Sequence, residues 1–370
     1  MSFKFTRYLY ELEEVQIALL LSLLNKSEEV LFWAYELYYS GYKQELVNLI
    51  WKIYYEFYST LNPAFEVYLL KKNNINNFNN VKIIANILNS FLIRPYNLDV
   101  FMAKQIIQNF EIEDVKEDIQ ELLVLGNHVN IAFYILEIAE ERNIDDNLNL
   151  IIDYFNKNKN NDKHKILSLW NKVKTLSHGR TIILSYIFRF YTEQQKIKTG
   201  KNIYVVVNDE DIVLYETIEV DLSLLGDTKR EKMVARKILQ NAYLYSIDSS
   251  KWIHLFKLKR EKYNIREAYY YKWLYYASQS PIWVTRICTF NGFVDNETQS
   301  VEFEDEDDLQ GFYKNYGYEP DEQPISIQNK CLEITQNPSE TWATFYKKYR
   351  GNGIFIVDEE YLDNMDKICC

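Results

Sequence analysis

"EEVLFWAYELYYSGYKQELVNLIWKIYYEFYSTLNP" runs from Glu28 to Pro63. Ser27 precedes the acids Glu28 and Glu29, which suit the first turn of a helix, and apolar residues then continue to Ser40, where Gly41 supplies a stop. From Tyr42 to about Thr60, Leu46, Leu49, Ile50, Ile53, Tyr54 and Phe57 fall on one helical face, and Asn62-Pro63 ends the run. The stretch therefore reads as a helix pair of the solenoid kind.

The same periodicity extends along the first half of the chain. Leu9, Leu12, Val15, Leu19 and Leu23 have helical spacing, and further helices are predicted near 64–72, 79–93, 98–109, 113–125, 128–142, 146–156, 163–176 and 179–194. The tracts "KKNNINNFNN" and "NKNKNNDKH" read as exposed loops. No fixed-period motif identifies a repeat family. Only 10 Gly and 6 Pro occur in 370 residues, which favours long helices and opposes an all-β sandwich. Residues 1–198 are expected to form a helical array or bundle.

The character changes near "KIKTGKN". "NIYVVVN" and "DIVLYETIEV" are β-rich, with a hairpin expected across Asp209–Glu210. Helices fit 228–245 and 265–278, "WVTRICTF" suits a strand or a short helix, and "GIFIVDE" suits a last strand. The expected fold is mainly α with a smaller α+β part, in which a mixed region at 199–370 holds a short β-sheet. Within it, "AYYYKWLYYASQSPIW" (268–283) is too aromatic for a free surface. On a helix, Tyr269, Trp273, Tyr276 and Ala277 share a face with Ile265, and Tyr270, Tyr271 and Leu274 widen it. Such a helix is buried on more than one side and reads as a domain-joining core element.

The net charge of −11 is unevenly placed. Residues 295–322 hold eleven acids and one base, and read either as a flexible acidic loop or as a strip that docks a basic partner or masks the basic middle. The basic segments are 156–201, with eleven bases and two acids, and 229–266, with eleven bases and three acids. In the second, Lys251, Lys257, Lys259, Arg260, Lys262 and Arg266 are candidate phosphate contacts, and Trp252 and Tyr263 would stack on bases. The alternative is a basic amphipathic helix with solvated charges. In "SHGRT", His178 and Arg180 lie in a turn before a helix that would meet an anion, against the simpler reading of an ordinary helix entry.

Catalytic motifs are not found. There is no Walker or GxGxxG loop, and "GNG" at 351–353 reads as a tight turn before a strand. The four histidines form no HxxxH, HExxH or HxE pattern, and the consecutive acids "EDEDD" make no geometric dyad. The cysteines at 288, 331, 369 and 370 fit neither a zinc site nor a disulfide framework, which suggests a reduced, cytosolic chain. The final pair, Cys369 and Cys370, has the form of a Rab-type prenylation signal, with unmodified bystander cysteines as the alternative. No signal peptide is recognised, and the apolar run 15–24 is broken by Gln16 and Ser22, so no membrane span is expected. No cofactor is expected, and a non-enzyme is the favoured reading.

"FWAYELYYSGY", "LVNLIWKIYYEFYSTLNP", "YYYKWLYYASQSPIW" and "FYKNYGYEPDEQP" together resemble a protein family of the nucleocytoplasmic large DNA viruses, the giant viruses. The resemblance touches both halves of the chain and brings no catalytic motif or residue roles. It implies a protein made in an infected cell's cytoplasm, at the viral factory or in the virion, serving replication, transcription or assembly. The expected function is a non-enzymatic protein–protein interaction or structural component, with other proteins as partners. The alternative is a nucleic-acid-binding accessory factor using segments 156–201 and 229–266.

Overall fold

A computed structural model describes residues 4–73, 80–112, 118–140, 143–156, 160–174, 179–212, 271–316 and 341–368. The elements begin with α1 (Leu12–Asn25), α2 (Val30–Tyr39) and α3 (Lys43–Ile53), which continues into a π-helical turn, Tyr54–Tyr58. Then follow α4 (Phe65–Asn73), α5 (Val81–Leu92), α6 (Asp99–Asn109), α7 (Ile119–Leu125) and α8 (His128–Phe133), which runs into a second π turn, Tyr134–Ile138. α9 (Ile144–Phe155), α10 (Asn160–Val173) and α11 (Gly179–Gln194) complete the first half. Later come α12 (Trp273–Ala277), α13 (Pro281–Thr289), β1 (Gly292–Asp295), β2 (Ser300–Phe303), α14 (Glu306–Tyr316), α15 (Trp342–Tyr349) and α16 (Glu359–Ile368). The chain is mainly α, and the sheet among the described residues is a two-stranded antiparallel hairpin.

The helices expected from apolar spacing form, several within two residues of their expected ends. Several expectations differ; of the helix expected at 265–278, only Trp273–Ala277 is helical, residues 271–272 are not, and 265–270 lie outside the described residues. Residues 202–208 form no strand, and Asp209–Ile212 is helical, so the described part of the expected hairpin is absent; residues 213–220 lie outside the described residues. "GIFIVDE" is likewise not a strand, and Asn160–His164 belongs to α10 instead of a loop. "WVTRICTF" resolves as helix. The helix expected at 228–245 lies outside the described residues.

Two compact units each draw on both sides of residue 198. The first comprises Met1–Leu49, Asn79–Asn89 and Val205–Glu340; the second comprises Ile50–Phe78, Ser90–Tyr204 and Thr341–Cys370.

In the first unit, α1 packs on α2. Glu11 caps α1, its carboxylate accepting from the backbone N–H of Glu13 and Glu14. This satisfies donors that a helix start otherwise leaves orphaned. Ahead of it the chain folds back through a Phe5–Glu11 bridge, with Leu9 at φ 62°. That turn takes Leu9 out of the helical series predicted from its spacing. Arg7 is buried in this segment, and its Nε donates to Glu36 Oε2 at 2.9 Å. Glu36 Oε1 also accepts from Tyr8 N at 3.0 Å, and Ser40 Oγ accepts from Arg7 N at 2.7 Å.

The described part of the aromatic stretch, 271–283, packs against this same segment. Trp283 is fully buried and donates Nε1–H to Thr6 O at 2.9 Å, and its ring meets Trp273 edge-on at 5.6 Å. Arg286 lies 4.5 Å over the Trp283 ring and donates to Arg7 O. Trp273, Leu274 and Ala277 are buried as expected, whereas Tyr271 is 83% exposed. Gly41 explains how α13 approaches α2. It has φ +92°, and a Cβ there would lie 2.5 Å from Pro281 Cβ.

The acidic segment is not one continuous loop over its described part; residues 296–299 and 304–305 are short turns between ordered elements. Residues 300–303 are β2, and Phe303 packs on Phe312 of α14 at 5.0 Å. Asp305 accepts from Asp308 N, and Glu306, Asp307 and Asp308 fill the first turn of α14. Negative charge is favourable there, against the positive end of the helix dipole. Residues 317–322 lie outside the described residues.

In the second unit, α11 packs on α6, on α9 and on both π turns. Rings fill this core: Tyr58 stacks on Phe91 at 4.5 Å, Phe57 on Phe101 at 5.0 Å, and Phe101 meets Trp342 at 6.4 Å. "GNG" forms a clasp. Gly351 bridges to Asn97, and Asp99 accepts from the N–H of Ile354 and Phe355 at 3.0 and 3.1 Å. A Cβ on Gly353 would lie 2.2 Å from Asp99 Oδ1, so only glycine permits the contact.

Trp283→Ala is expected to cost about 3–5 kcal/mol, because it opens a cavity beside the N-terminal segment. Trp283→Phe keeps most of the ring and removes one of the two donors to Thr6 O, which still accepts from Leu9 N–H, and is expected to cost less. Urea unfolding of the three proteins measures both, and equal stabilities would place Trp283 outside the core.

Candidate functional site

Among the residues proposed from sequence to meet an anion or nucleic acid, Lys251, Trp252, Lys257, Lys259, Arg260, Lys262, Arg266 and His178 lie outside the described residues. Arg180 is described. It stands in the first turn of α11 and donates to Leu136 O, so its guanidinium ties α11 to the second π turn. The other described cations of segment 156–201 include several ion-paired ones. Lys163 meets Asp153 at 2.5 Å, Lys174 meets Asp145 at 3.1 Å, and Arg189 Nε meets Glu193 at 2.9 Å. Asp145 lies below the usual carboxylate range, held there by a hydrogen bond from Trp170 and then by Lys174. Exposed pairs of this kind contribute at most about 1 kcal/mol each. They do reduce the positive charge that the linear count suggested.

Two buried titratable groups of the second unit are held by their surroundings. Glu66 Oε1 accepts from Tyr55 Oη at 3.0 Å and Tyr186 Oη at 2.5 Å. Burial raises the Glu66 pKa, against the opposing effect of the two tyrosines. His128 sits among Phe188, Tyr191 and Phe355, and burial lowers its pKa. His164 is exposed. Among the described residues, no group of three or more His, Cys, Asp or Glu could hold a metal ion, and no helix is long and apolar enough to cross a membrane. Cys288 is an exposed free thiol, and Cys369 and Cys370 lie outside the described residues.

The last turn of α7 presents adjacent exposed apolar residues; Ile356 in the same unit and Val206 in the first are singly exposed to a similar degree. Asp118 caps this helix by accepting from Gln120 and Glu121 N–H, and Gly126 closes it in the left-handed conformation. Leu122 and Leu123 are buried, and Leu123 O accepts from Tyr191 Oη at 2.9 Å. That anchoring leaves Val124 72% and Leu125 66% exposed. On α9, which packs against α7, Leu150 is 37% exposed. The sequence carried a signal for this. Four consecutive apolar residues, Leu122–Leu125, cannot all face inward from one short helix, because successive side chains point in different directions around it. In the first unit, Tyr271 and Phe293 are exposed as well.

No protein-family profile, curated protein or solved structure matches the chain.

The clasp at Asp99 makes a pH-dependence. Burial raises its pKa from 3.8 to about 6, against the two backbone N–H donors and Arg350. The folded chain therefore binds more protons than the unfolded chain between those values, and stability falls as pH rises through that window. The loss amounts to at most about 3 kcal/mol. Asp99→Asn removes the titration. The stability advantage of the parent over Asp99→Asn is expected to shrink between pH 4 and pH 6 and to stay level above. Melting curves across that range test this, and a constant difference would mean an ordinary pKa at Asp99.

Proposed function

We propose that this protein is a non-enzymatic interaction or structural component and, on the resemblance to giant-virus proteins, that it serves in a virion or a viral transcription assembly. The observation that carries the interaction reading is the exposed pair Val124 and Leu125 on a helix end fixed from beneath. Apolar side chains held in water at a rigid site gain by association. The abundance of Tyr and Trp does not itself support the reading, because most of the described ones lie in the core. The partner surface is carried by the smaller apolar set on α7 and its neighbour α9.

Full burial of one such side chain at an interface is worth about 1.5–3 kcal/mol, so losing two weakens a partner by about a hundredfold or more. The variant Val124→Ser/Leu125→Ser is expected to melt close to the parent, since exposed substitutions usually fall within about 0.5 kcal/mol. It is also expected to lose a stoichiometric partner when a tagged chain is recovered from infected cells and from purified particles. An unchanged partner set would overturn the assignment of this surface. If it came with retention on heparin that falls steeply with salt, it would favour the nucleic-acid reading.

A further inference from the structure

In the second unit, α9, α10 and α11 converge on a cavity of about 130 Å³. Asn156, the C-cap of α9, Lys165 and Leu169 on α10, and Arg189, Phe190 and Glu193 on α11 line it. The spacing explains the convergence: Lys165 and Leu169 are one turn apart, as are Arg189 and Glu193, so each pair shares a helix face.

The wall offers more donors than the chain uses. Asn156 Nδ2 is shielded from solvent and has no hydrogen-bond partner among the described residues. A buried donor left unpaired costs about 1–3 kcal/mol, so an acceptor at this position is favoured. Arg189 gives its Nε to Glu193, which leaves the outer nitrogens of its fork for another acceptor. Lys165 adds an ammonium on the opposite helix. The two cations and one carboxylate of the lining sum to one positive charge, and buried Glu66 behind them also interacts with both cations; a monoanion suits this balance, whereas a dianion would meet Glu193. Leu169 and Phe190, both buried, give the rest of the wall an apolar character. The volume is well below the roughly 300 Å³ at which sites for drug-sized ligands begin, so the occupant has only a few heavy atoms.

We propose that this cavity binds a small monocarboxylate. Its oxygens accept from Arg189, Lys165 and Asn156 Nδ2, and its short hydrocarbon part lies on Leu169 and Phe190. A planar carboxylate suits the fork geometry of a guanidinium. This site is independent of the apolar pair on α7 and does not rest on the interaction reading.

The test is binding of butyrate to the full chain, followed by saturation-transfer NMR and by the rise in melting temperature. Inorganic phosphate and butylammonium serve as comparison probes. The expected result is a saturable butyrate signal, at least about tenfold weaker binding of phosphate, and none of butylammonium, with one kcal-scale contact accounting for each tenfold step. Arg189→Gln is expected to abolish butyrate binding. Lys165→Gln, at an exposed position that leaves the fold intact, is expected to weaken it about tenfold or more, the loss of one charge-assisted hydrogen bond. Lys172→Gln makes the same charge change on α10 outside the cavity and is expected to bind as the parent does. A butyrate effect that does not saturate, or that is equal in Lys165→Gln and Lys172→Gln, would overturn the proposal. Phosphate binding as tight as butyrate would overturn the carboxylate assignment.

Discussion

Tyr55 and Tyr186 direct their hydroxyls at the same oxygen of Glu66, and this pairing shows the constraint on which the fold depends. A chain with 31 tyrosines cannot leave all their rings in water, yet each ring it buries carries a hydroxyl that needs a partner. Glu66, buried on α4, serves two at once. Elsewhere backbone carbonyls do the same work: Tyr54 Oη donates to Asn62 O, Tyr35 Oη to Val81 O, and Tyr346 Oη to Phe355 O. The π turn at Tyr54–Tyr58 belongs to this solution. Its wider turn, closed by Ser59 N to Tyr54 O, lets Tyr54, Tyr55, Phe57 and Tyr58 all lie inside, where a regular helix would turn one toward solvent.

The first unit meets the same constraint with charge. Arg7 and Glu36 form a buried ion pair; Tyr8 N also donates to Glu36, and the Tyr8 and Tyr39 rings lie 4.5 and 4.8 Å from the guanidinium. Removing one member of such a pair leaves an uncompensated charge and costs about 3–5 kcal/mol, far more than the pair contributes in net terms. Its role is positional. It fixes the backbone of Thr6 and Arg7, whose carbonyls then receive Trp283 and Arg286. The aromatic stretch and the N-terminal segment, far apart in sequence, thus define one another's place.

The helices were legible because apolar spacing is a property of the chain itself, and most of the second unit and much of the first consist of such spacing. The π turns were not, since "YYEFY" differs from α-helical sequence only in having too many rings to bury. The two missing strands share one cause. "GIFIVDE" has a strand-like β-branched and aromatic apolar run, but its donors go to side chains: Ile354 and Phe355 N–H to Asp99, and Val357 N–H to the Tyr346 hydroxyl. In "NIYVVVN", Ile203 O accepts from Arg94 and Val207 N–H donates to Asn86. A segment whose backbone is satisfied by polar side chains looks, in sequence, the same as one satisfied by a neighbouring strand. Only the position of those side chains in three dimensions separates the cases. The cavity on α9, α10 and α11 was hidden for the same reason, because Asn156, Lys165 and Arg189 are unremarkable singly.

Charge along the sequence misled in a related way, since a linear count cannot see what each group faces. Segment 156–201 counts as strongly basic, yet Asp145 and Asp153 on α9, from outside that window, sit against Lys174 and Lys163, and Glu193 within it sits against Arg189. The acidic run carries its own explanation. Asp305 turns into the start of α14, the three acids after it occupy the end of the helix where negative charge is favoured, and Asp308 also accepts from Asn291. The described residues named here in both blocks thus face groups supplied by the chain itself. Two local features are of another kind: a fixed pair of apolar side chains on α7, and the cations Lys165 and Arg189 facing one cavity. Both imply ligands more specific than a bulk count of charge would, because each depends on particular atoms held by the surrounding helices.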